Sequence, residues 1–203
     1  MIRIGVIGSG SGTNFASIAE SVANGTLTGV EIALVISDKE NAKILERARS
    51  YSIPAVYLSA DEYKTKLAGE QEAGYIQALR DARVDYVVLA GFMRMVKSGL
   101  LEAFKGHILN IHPALLPAFP GLASWKQAVE YGAKFSGCTV HFVDMGMDTG
   151  AIIAQAAVPI QSTDTAESLH ARIQEQEHKL YPQVLQWIAD GRLRVEGRIV
   201  HIA

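Results

Sequence analysis

The chain has 203 residues, of which 49% are hydrophobic and 20% are charged, and its formal net charge is −2. A chain of this length suits one domain that buries roughly 70% of its unfolded surface, and its composition lacks the signature of disorder. The small negative charge, without a run of Lys or Arg, gives no electrostatic support for a nucleic-acid partner, so we expect a small-molecule substrate.

In the first half of the chain, short runs rich in Val, Ile and Ala alternate with longer stretches of helical composition. The predicted strands are residues 3–7, 30–36, 55–57 and 86–90. The predicted helices between them are residues 14–24, 39–50 and 61–82. This alternation predicts a mostly parallel sheet with helices on both faces.

The second half continues with predicted helices near 98–104 and 124–131 on either side of a strand at 108–111. Strands at 135–143 and 151–158 are joined by a Gly-rich loop, so we expect them to be antiparallel. A long helix is predicted for about residues 165–190, and residues 192–202 resemble a final ribbon. Thr163 or Asp164 is the expected cap of the long helix, and Gly191 its stop.

No repeat, linker or break in composition divides the chain. We therefore predict an α/β fold in one domain, residues 1–203, built on a single doubly wound, mostly parallel sheet. Its Rossmann-like N-terminal half, about residues 1–105, contains a candidate phosphate loop. Its C-terminal half, about residues 106–203, contains the candidate catalytic residues, the antiparallel extension and the long helix.

Cys138 is the only cysteine, which excludes an internal disulfide and suits a reducing compartment. No hydrophobic run approaches the roughly 20 residues that span a bilayer, and Met1 leads directly into a predicted strand rather than a signal peptide. We expect a cytoplasmic protein that does not bind membranes, either a monomer or a homodimer.

The segment Gly8-Ser-Gly-Ser-Gly-Thr-Asn14 separates the first predicted strand from the first helix. Glycines allow a sharp turn, and the free N–H groups of a helix N-terminus bind anions. The spacing matches neither the dinucleotide fingerprint G-x-G-x-x-G nor a Walker loop. We predict a phosphate site on a ligand other than a dinucleotide, with these contacts: Ser11, Gly12, Thr13 and Asn14. Asp38, after the second strand, keeps an NAD-binding oxidoreductase open as an alternative, although we favour a role for it at the start of the next helix.

Asn110 and His112 lie two positions apart in an apolar run that ends at Pro113. Residues at i and i+2 of a strand point to the same side, and Pro113 favours extended geometry at His112. An amide that can hold an oxyanion beside a ring that can carry a proton suits acyl chemistry. A core strand with two hydrogen-bonded polar residues is the simpler alternative, but the pair and the proline-rich loop that follows favour a site.

The second Gly-bounded loop, Asp144-Met-Gly-Met-Asp-Thr-Gly150, contains two carboxylates. Loops at the carboxyl ends of strands converge in a doubly wound sheet, so Asp148 could face His112 and orient its ring. Ordinary turn chemistry is the alternative for both aspartates. We expect no metal site, because Cys138 and His141 should point to opposite faces of a strand.

With these residues in place, the chain resembles the phosphoribosylglycinamide formyltransferases of the formyl-folate transferase family. Seven motifs carry the resemblance: Gly10-Ser-Gly-Thr-Asn14, Gly91-Phe-Met-Arg94, Leu109-Asn-Ile-His-Pro113, Leu115-Leu-Pro117, Gly137-Cys-Thr-Val-His141, Asp148-Thr-Gly150 and Gln176-Glu-His178. The resemblance implies transfer of a formyl group from 10-formyltetrahydrofolate to the amine of glycinamide ribonucleotide in purine biosynthesis, without a metal. It also implies a catalytic trio: Asn110, His112 and Asp148.

The resemblance further implies that Glu177 joins the glycine loop around the ribose-phosphate. It implies that the folate pocket is lined by five residues: Met93, Arg94, Val96, Val143 and Asp144. The chain has Ala123 where the family usually has a His, and Ala60 where a basic residue usually helps the phosphate, with Lys64 or Lys66 as substitutes.

Three alternatives compete with this interpretation besides the oxidoreductase. A 10-formyltetrahydrofolate hydrolase would share the trio but usually carries an extra N-terminal domain, whereas this chain starts at its first strand. A methionyl-tRNA formyltransferase would need an RNA-binding domain and a basic surface. A non-catalytic nucleotide-binding module would leave the trio unexplained.

Overall fold

The computed structural model describes residues 1–203. Seven strands form the main sheet: β1 Ile2–Ile7, β2 Val30–Ser37, β3 Ala55–Tyr57, β4 Tyr86–Leu89, β5 Ile108–His112, β6 Phe135–Phe142 and β7 Ile152–Pro159. Six helices accompany them: α1 Thr13–Ala23, α2 Lys43–Ser50, α3 Gly69–Asp81, α4 Ser98–Ala103, α5 Ser124–Tyr131 and α6 Ala166–Ala189. A separate ribbon pairs β8 Leu193–Glu196 with β9 Ile199–Ile202.

The strands of the main sheet lie in the order β3-β2-β1-β4-β5-β6-β7. The five strands from β3 to β5 are parallel, whereas β6 runs antiparallel to both β5 and β7. The predicted doubly wound, mostly parallel sheet with an antiparallel extension and a long helix is therefore confirmed.

Each face of the sheet is covered by its own hydrophobic cluster. The larger cluster has 28 buried residues and includes side chains of α1, α2 and α6, such as Phe15, Ile44 and Tyr181. The smaller cluster has 15 buried residues and includes Tyr75 of α3 and Leu100 of α4 on the opposite face. Because both faces are covered, polar chemistry is confined to the strand ends.

The order of the strands reverses at β1, which pairs with β2 on one side and with β4 on the other. The loops that follow β1 and β4 consequently meet at the carboxyl edge of the sheet. The backbone N–H of Ser9 donates to the carbonyl of Gly91 over 3.1 Å, and the backbone N–H of Met93 donates to Oγ of Ser9 over 3.0 Å. This is the position at which open α/β sheets bind ligands.

Two helices begin later than predicted. The helix expected at 39–50 begins at Lys43, so Asp38 does not start it. The helix expected at 61–82 begins at Gly69, because the preceding segment pairs with the loop after β4. There, Leu67 N–H donates to the carbonyl of Met95, and Met95 N–H donates to that of Thr65, each over 2.9 Å.

The long helix α6 is capped by Thr165, so the predicted caps Thr163 and Asp164 are wrong. Oγ1 of Thr165 accepts the backbone N–H of Ser168, while Oγ of Ser168 accepts the N–H of Thr165. This reciprocal pair is a capping box. No helix of the protein, α6 included, combines the length and hydropathy that crossing a membrane requires.

Candidate active site

A cavity of about 320 Å³ opens at the carboxyl ends of β4 and β5. Its 23 lining residues include all three predicted catalytic residues, Asn110, His112 and Asp148. They also include all five predicted folate contacts: Met93, Arg94, Val96, Val143 and Asp144. A larger groove, of about 410 Å³ at the N-terminal edge of the sheet, is almost wholly apolar, so chemistry rather than size distinguishes the first cavity.

The alternation along β5 directs Asn110 and His112 to the cavity. Leu109 and Ile111 belong to the larger hydrophobic cluster, whereas Asn110 and His112 belong to neither cluster and line the cavity, which Ile111 also contacts. A period of two along a strand produces this division.

His112 lies between two oxygen atoms that can only accept hydrogen bonds. Its Nε2 is 2.9 Å from the carbonyl oxygen of Phe119, and its Nδ1 is 3.4 Å from Oδ2 of Asp148. A neutral imidazole has one N–H, so only the doubly protonated ring can donate to both oxygens. His112 and Asp148 therefore form an ion pair only when the ring is protonated.

Asp148 is held by the backbone of the proline-rich loop. The N–H of Gly121 donates to Oδ2 of Asp148 over 2.8 Å, and Asp148 itself has a left-handed backbone conformation with φ of 55°. Its side chain is only 13% exposed. The carboxylate is therefore aimed at the imidazole rather than at bulk water.

The loop that contains Asp148 is braced from within and from the C-terminal ribbon. Oδ1 of Asp144 accepts the N–H of Gly146 over 3.0 Å and the hydroxyl of Thr149 over 2.6 Å. Arg198, in the turn between β8 and β9, donates through Nη2 to the carbonyl of Thr149 over 2.9 Å. These contacts fix the loop on both sides of the catalytic candidate.

His141 is a member of the cluster that the sequence analysis did not place among the site residues. It is buried opposite Asn110 in the β5–β6 ladder, and its Nε2 is 3.2 Å from Nδ2 of Asn110 and 3.8 Å from Oδ1 of Asp148. Its Nδ1 lies 2.8 Å from the carbonyl oxygen of Phe142, so Nδ1 bears the proton. Burial lowers the pKa of His141, which leaves Nε2 as an acceptor for the Asn110 amide.

The glycine loop forms a second polar site next to this cavity. Gly12 precedes α1 in a left-handed conformation, with φ of 68°, and a Cβ there would lie 2.7 Å from Cβ of Ile44. The backbone N–H groups of residues 10–15, which include the predicted contacts Ser11, Gly12, Thr13 and Asn14, donate to no other protein group. Free N–H groups at a helix N-terminus form an anion site.

Glu177 of α6 lies beneath this loop. Its carboxylate accepts a hydrogen bond from Nδ2 of Asn14 over 2.9 Å, and burial raises its pKa. Oδ1 of Asn14 is buried without a hydrogen-bond donor. The pair therefore leaves one buried acceptor atom unsatisfied next to the glycine loop.

Residues 2–185 match the profile of the formyl transferase family. The chain belongs to this family. It is 44% identical over 186 residues to the phosphoribosylglycinamide formyltransferase of Bacillus subtilis, a match that covers 92% of this chain and 94% of the relative. It is 43% identical over 194 residues to the trifunctional purine biosynthetic protein adenosine-3 of Drosophila pseudoobscura, a match that covers 95% of this chain and 14% of that relative.

Solved structures of formyltransferases have the same fold as this chain. The glycinamide ribonucleotide transformylase 1 of Symbiobacterium toebii has a TM-score of 0.94 and 48% identity, covering 100% of this chain and 94% of that one. A formyltetrahydrofolate deformylase of Pseudomonas syringae, at 23% identity, TM-score 0.91 and coverage of 99% and 65%, shares the fold alone. The prediction of a formyltransferase is confirmed.

In this formyl transferase, Arg94 does not offer its charge to the cavity. Its Nε donates to Oδ2 of Asp38 over 2.8 Å, its Nη2 donates to Asp61 over 2.7 Å, and its Nη1 donates to the carbonyl of Tyr63. Asp38 is itself buried. The buried pairing with Arg94 and the match to the formyl transferase family both count against the NAD-binding alternative.

The chain departs from the usual family residues at Ala123, which lines the cavity, and at Ala60. Ala123 has a left-handed conformation before α5, and Trp125, two residues on, lines the cavity. The Trp125 indole stacks on the ring of His170 from α6, with centroids 3.8 Å apart and planes 4° apart. Nothing in the structure links Lys64 or Lys66 to the glycine loop, and Nζ of Lys66 lies over the Tyr63 ring at 4.2 Å.

Cys138 and His141 occupy different environments, as predicted from their spacing. Cys138 is buried in the larger hydrophobic cluster, and burial raises its pKa to about 12. His141 lines the cavity instead. No three His, Cys, Asp or Glu side chains approach closely enough to hold a metal ion.

Proposed function

We propose that this formyl transferase moves the formyl group of 10-formyltetrahydrofolate to the amine of glycinamide ribonucleotide, as a step of purine biosynthesis. The products are formylglycinamide ribonucleotide and tetrahydrofolate. The observation that carries the proposal is the cluster of Asn110, His112 and Asp148 at one end of the cavity. The two relatives named for this transfer or for purine biosynthesis support it.

The glycine loop is proposed to hold the phosphate of the ribonucleotide. The free N–H groups of residues 10–15 suit a dianion. Oδ1 of Asn14 and the carboxylate of Glu177 would accept hydrogen bonds from ribose hydroxyls, which satisfies an otherwise unpaired buried oxygen. Because Ser9 connects this loop to Met93, the amine end of the substrate would extend toward the cavity.

The cavity is proposed to hold the formyl folate co-substrate. Met93, Val96 and Val143 supply apolar wall for a planar ring system. The charged side chains of Arg94 and Asp144 are engaged within the protein, so their part is to fix the backbone of the two loops that form the walls.

In the proposed chemistry, the amine nitrogen forms a bond to the formyl carbon while the bond from that carbon to N10 breaks, and one proton moves from the amine to N10. Asn110 would donate a hydrogen bond to the formyl oxygen as negative charge develops on it. The ring of His112, whose nitrogens face Phe119 and Asp148, would stabilise that charge electrostatically when it is protonated. Removing one such donor typically costs about 10²–10³ in rate. Asp148 would orient the His112 ring and order the water that relays the proton, which is worth about 10²–10⁴.

His141 is proposed to position Asn110. Its neutral ring presents a lone pair at Nε2, which only an N–H can approach, so the NH₂ end of the Asn110 amide is turned toward His141. One amide hydrogen then remains for the formyl oxygen. A flipped amide would place a carbonyl oxygen beside that lone pair and beside Asp148, which is electrostatically unfavourable.

An absorbance assay tests the transfer. The enzyme is mixed with a 10-formyl folate analogue, with and without glycinamide ribonucleotide, and release of the deformylated analogue is followed. Release that depends on the amine supports the transferase. Release of equal rate without the amine would mean a hydrolase, and no release in either mixture would refute the proposed reaction.

A further inference from the structure

Every internal methionine of the chain lies at the mouth of the active-site cavity. Met93, Met95, Met145 and Met147 all line it, although the cavity takes only 23 of 203 residues. Their exposed fractions are 62%, 36%, 63% and 51%, respectively. The remaining methionine, Met1, lines a different groove. We call the four cavity methionines the sulfur rim.

The sulfur rim is built from two Met-x-Met pairs on separate loops. Met93 and Met95 follow β4, and their backbones are fixed by hydrogen bonds to Ser9 and Thr65. Met145 and Met147 lie in the braced loop between β6 and β7. The backbones are therefore held in place while the thioethers remain accessible to water and to small solutes.

Thioethers and thiols are the two side-chain groups that peroxides oxidise most readily. The only thiol, that of Cys138, is fully buried, and its raised pKa of about 12 keeps it protonated. A thiol that is buried and not ionised is inert toward oxidants. The accessible oxidisable sulfur of this protein, Met1 apart, is thus concentrated at the cavity mouth.

We propose that the sulfur rim is a modification site at which peroxides convert methionine to methionine sulfoxide and so weaken binding of the folate co-substrate. The peroxide O–O bond breaks, one oxygen forms an S=O bond, and the other leaves as water. The sulfur loses two electrons, and the peroxide gains them. Only the identity of the affected ligand rests on the function proposed above.

Oxidation of the sulfur rim would make the wall of the cavity more polar. A thioether is apolar and polarizable and contacts aromatic rings favourably, whereas a sulfoxide is polar and would have to lose its hydration to make the same contact. Each sulfur–aromatic contact contributes roughly a factor of 2 to 10 to binding, so oxidation of the rim should raise the KM for formyl folate about tenfold. The glycine loop contains no methionine, so the KM for the ribonucleotide should not change.

The test treats the full-length enzyme with graded hydrogen peroxide and maps oxidised residues by peptide mass spectrometry. The expected result is oxidation of the rim methionines and Met1 with Cys138 unmodified, an increased KM for formyl folate, and recovery after treatment with methionine sulfoxide reductases. A variant with Leu at all four rim positions, compared with itself before and after peroxide, should show no such increase.

Each readout separates this inference from the proposed function. Mass mapping needs no substrate, so rim methionines that stay reduced while Met1 is oxidised would overturn the inference whatever the enzyme does. An unchanged KM with a fully oxidised rim would overturn it too, as would an equal loss in the Leu variant. Failure of the transfer assay with untreated enzyme would instead refute the function.

Discussion

The cluster of proposed catalytic residues and the glycine loop lie at the same edge of one sheet, but their polar atoms are satisfied differently. In the cluster, both ring nitrogens of His112 and of His141 face a protein partner, and Asp148 accepts a backbone N–H. In the glycine loop, the N–H groups of residues 10–15 and Oδ1 of Asn14 have no partner. Groups that stabilise charge developing during a reaction must be oriented in advance, whereas groups that bind a ligand can remain without a hydrogen-bond partner until the ligand arrives.

The largest expected effect follows from removing an oriented group. Asn110→Ala and Asp148→Ala should each lower turnover by about 10²–10³, because each removes a charge-stabilising or charge-setting contact. The affinity for a folate analogue, measured by fluorescence titration, should stay nearly constant. Near-normal turnover in either variant would show that the residue has no catalytic part.

A matched pair of substitutions at His141 tests whether its Nε2 positions Asn110. Gln can place an acceptor near the former Nε2, whereas Asn reaches only the former Nδ1. His141→Gln should retain most activity, and His141→Asn should lose about fivefold to tenfold in kcat, the value of one hydrogen bond. The loss should disappear in the Asn110→Ala background. Equal activity of both variants, or additive losses with Asn110→Ala, would contradict a positioning role.

Glu177→Gln tests the role of the polar groups at the glycine loop. Because burial raises the folded-state pKa of Glu177 above the ordinary 4.5, its favourable contribution is complete below pH 4.5 and is lost as the pH rises through the folded-state pKa. Glu177 therefore destabilises the fold more at pH 7.5 than at pH 4.5, and Gln should raise the free energy of unfolding at pH 7.5 by about 0.5–2 kcal/mol. Urea titrations at pH 4.5 and 7.5 measure this gain, which should be smaller at pH 4.5.

The same substitution should weaken binding of the ribonucleotide, since Gln replaces a carboxylate acceptor with an amide. We expect the KM for the ribonucleotide to rise about tenfold, as for loss of a hydrogen bond to a charged group, with the KM for formyl folate unchanged. If the Glu177→Gln variant is stabilised but its KM for the ribonucleotide is unaltered, Glu177 is not part of the substrate site.

The smallest expected effect is at the C-terminal ribbon, which lies beyond the residues matched by the family profile. Arg198→Ala removes an exposed hydrogen bond to Thr149, worth at most about 1 kcal/mol, so kcat should fall about twofold to fivefold. Arg194→Ala is the control, because Arg194 pairs only with Glu196 on the same ribbon. Equal effects of the two substitutions would mean that the ribbon does not brace the Asp148 loop.

The sequence predicted what depends on local pattern. The alternation of apolar runs indicated the strands, and the i, i+2 spacing placed Asn110 and His112 on one side of β5. What it could not predict depends on long-range contacts. The buried pair of Asp38 and Arg94 joins residues 56 positions apart. The late start of α3 depends on the backbone hydrogen bonds that Thr65 and Leu67 make with Met95.

His141 was missed for a related reason. Its place opposite Asn110 is set by the register of the β5–β6 ladder, which no local pattern specifies. If the predicted strands at 108–111 and 135–143 had been paired antiparallel, His141 would have been placed beside the predicted site. The cap of α6 fell one residue beyond the predicted candidates, because Thr165 and Ser168 satisfy each other.

The most direct measurement records the protonation of each ring nitrogen by long-range ¹H–¹⁵N NMR of the histidines at pH 7, assigned with His112→Gln and His141→Gln. We predict that His141 carries one proton, on Nδ1, which leaves Nε2 to accept from the Asn110 amide. A proton on Nε2 of His141 would contradict the proposed orientation of the Asn110 amide toward the formyl oxygen.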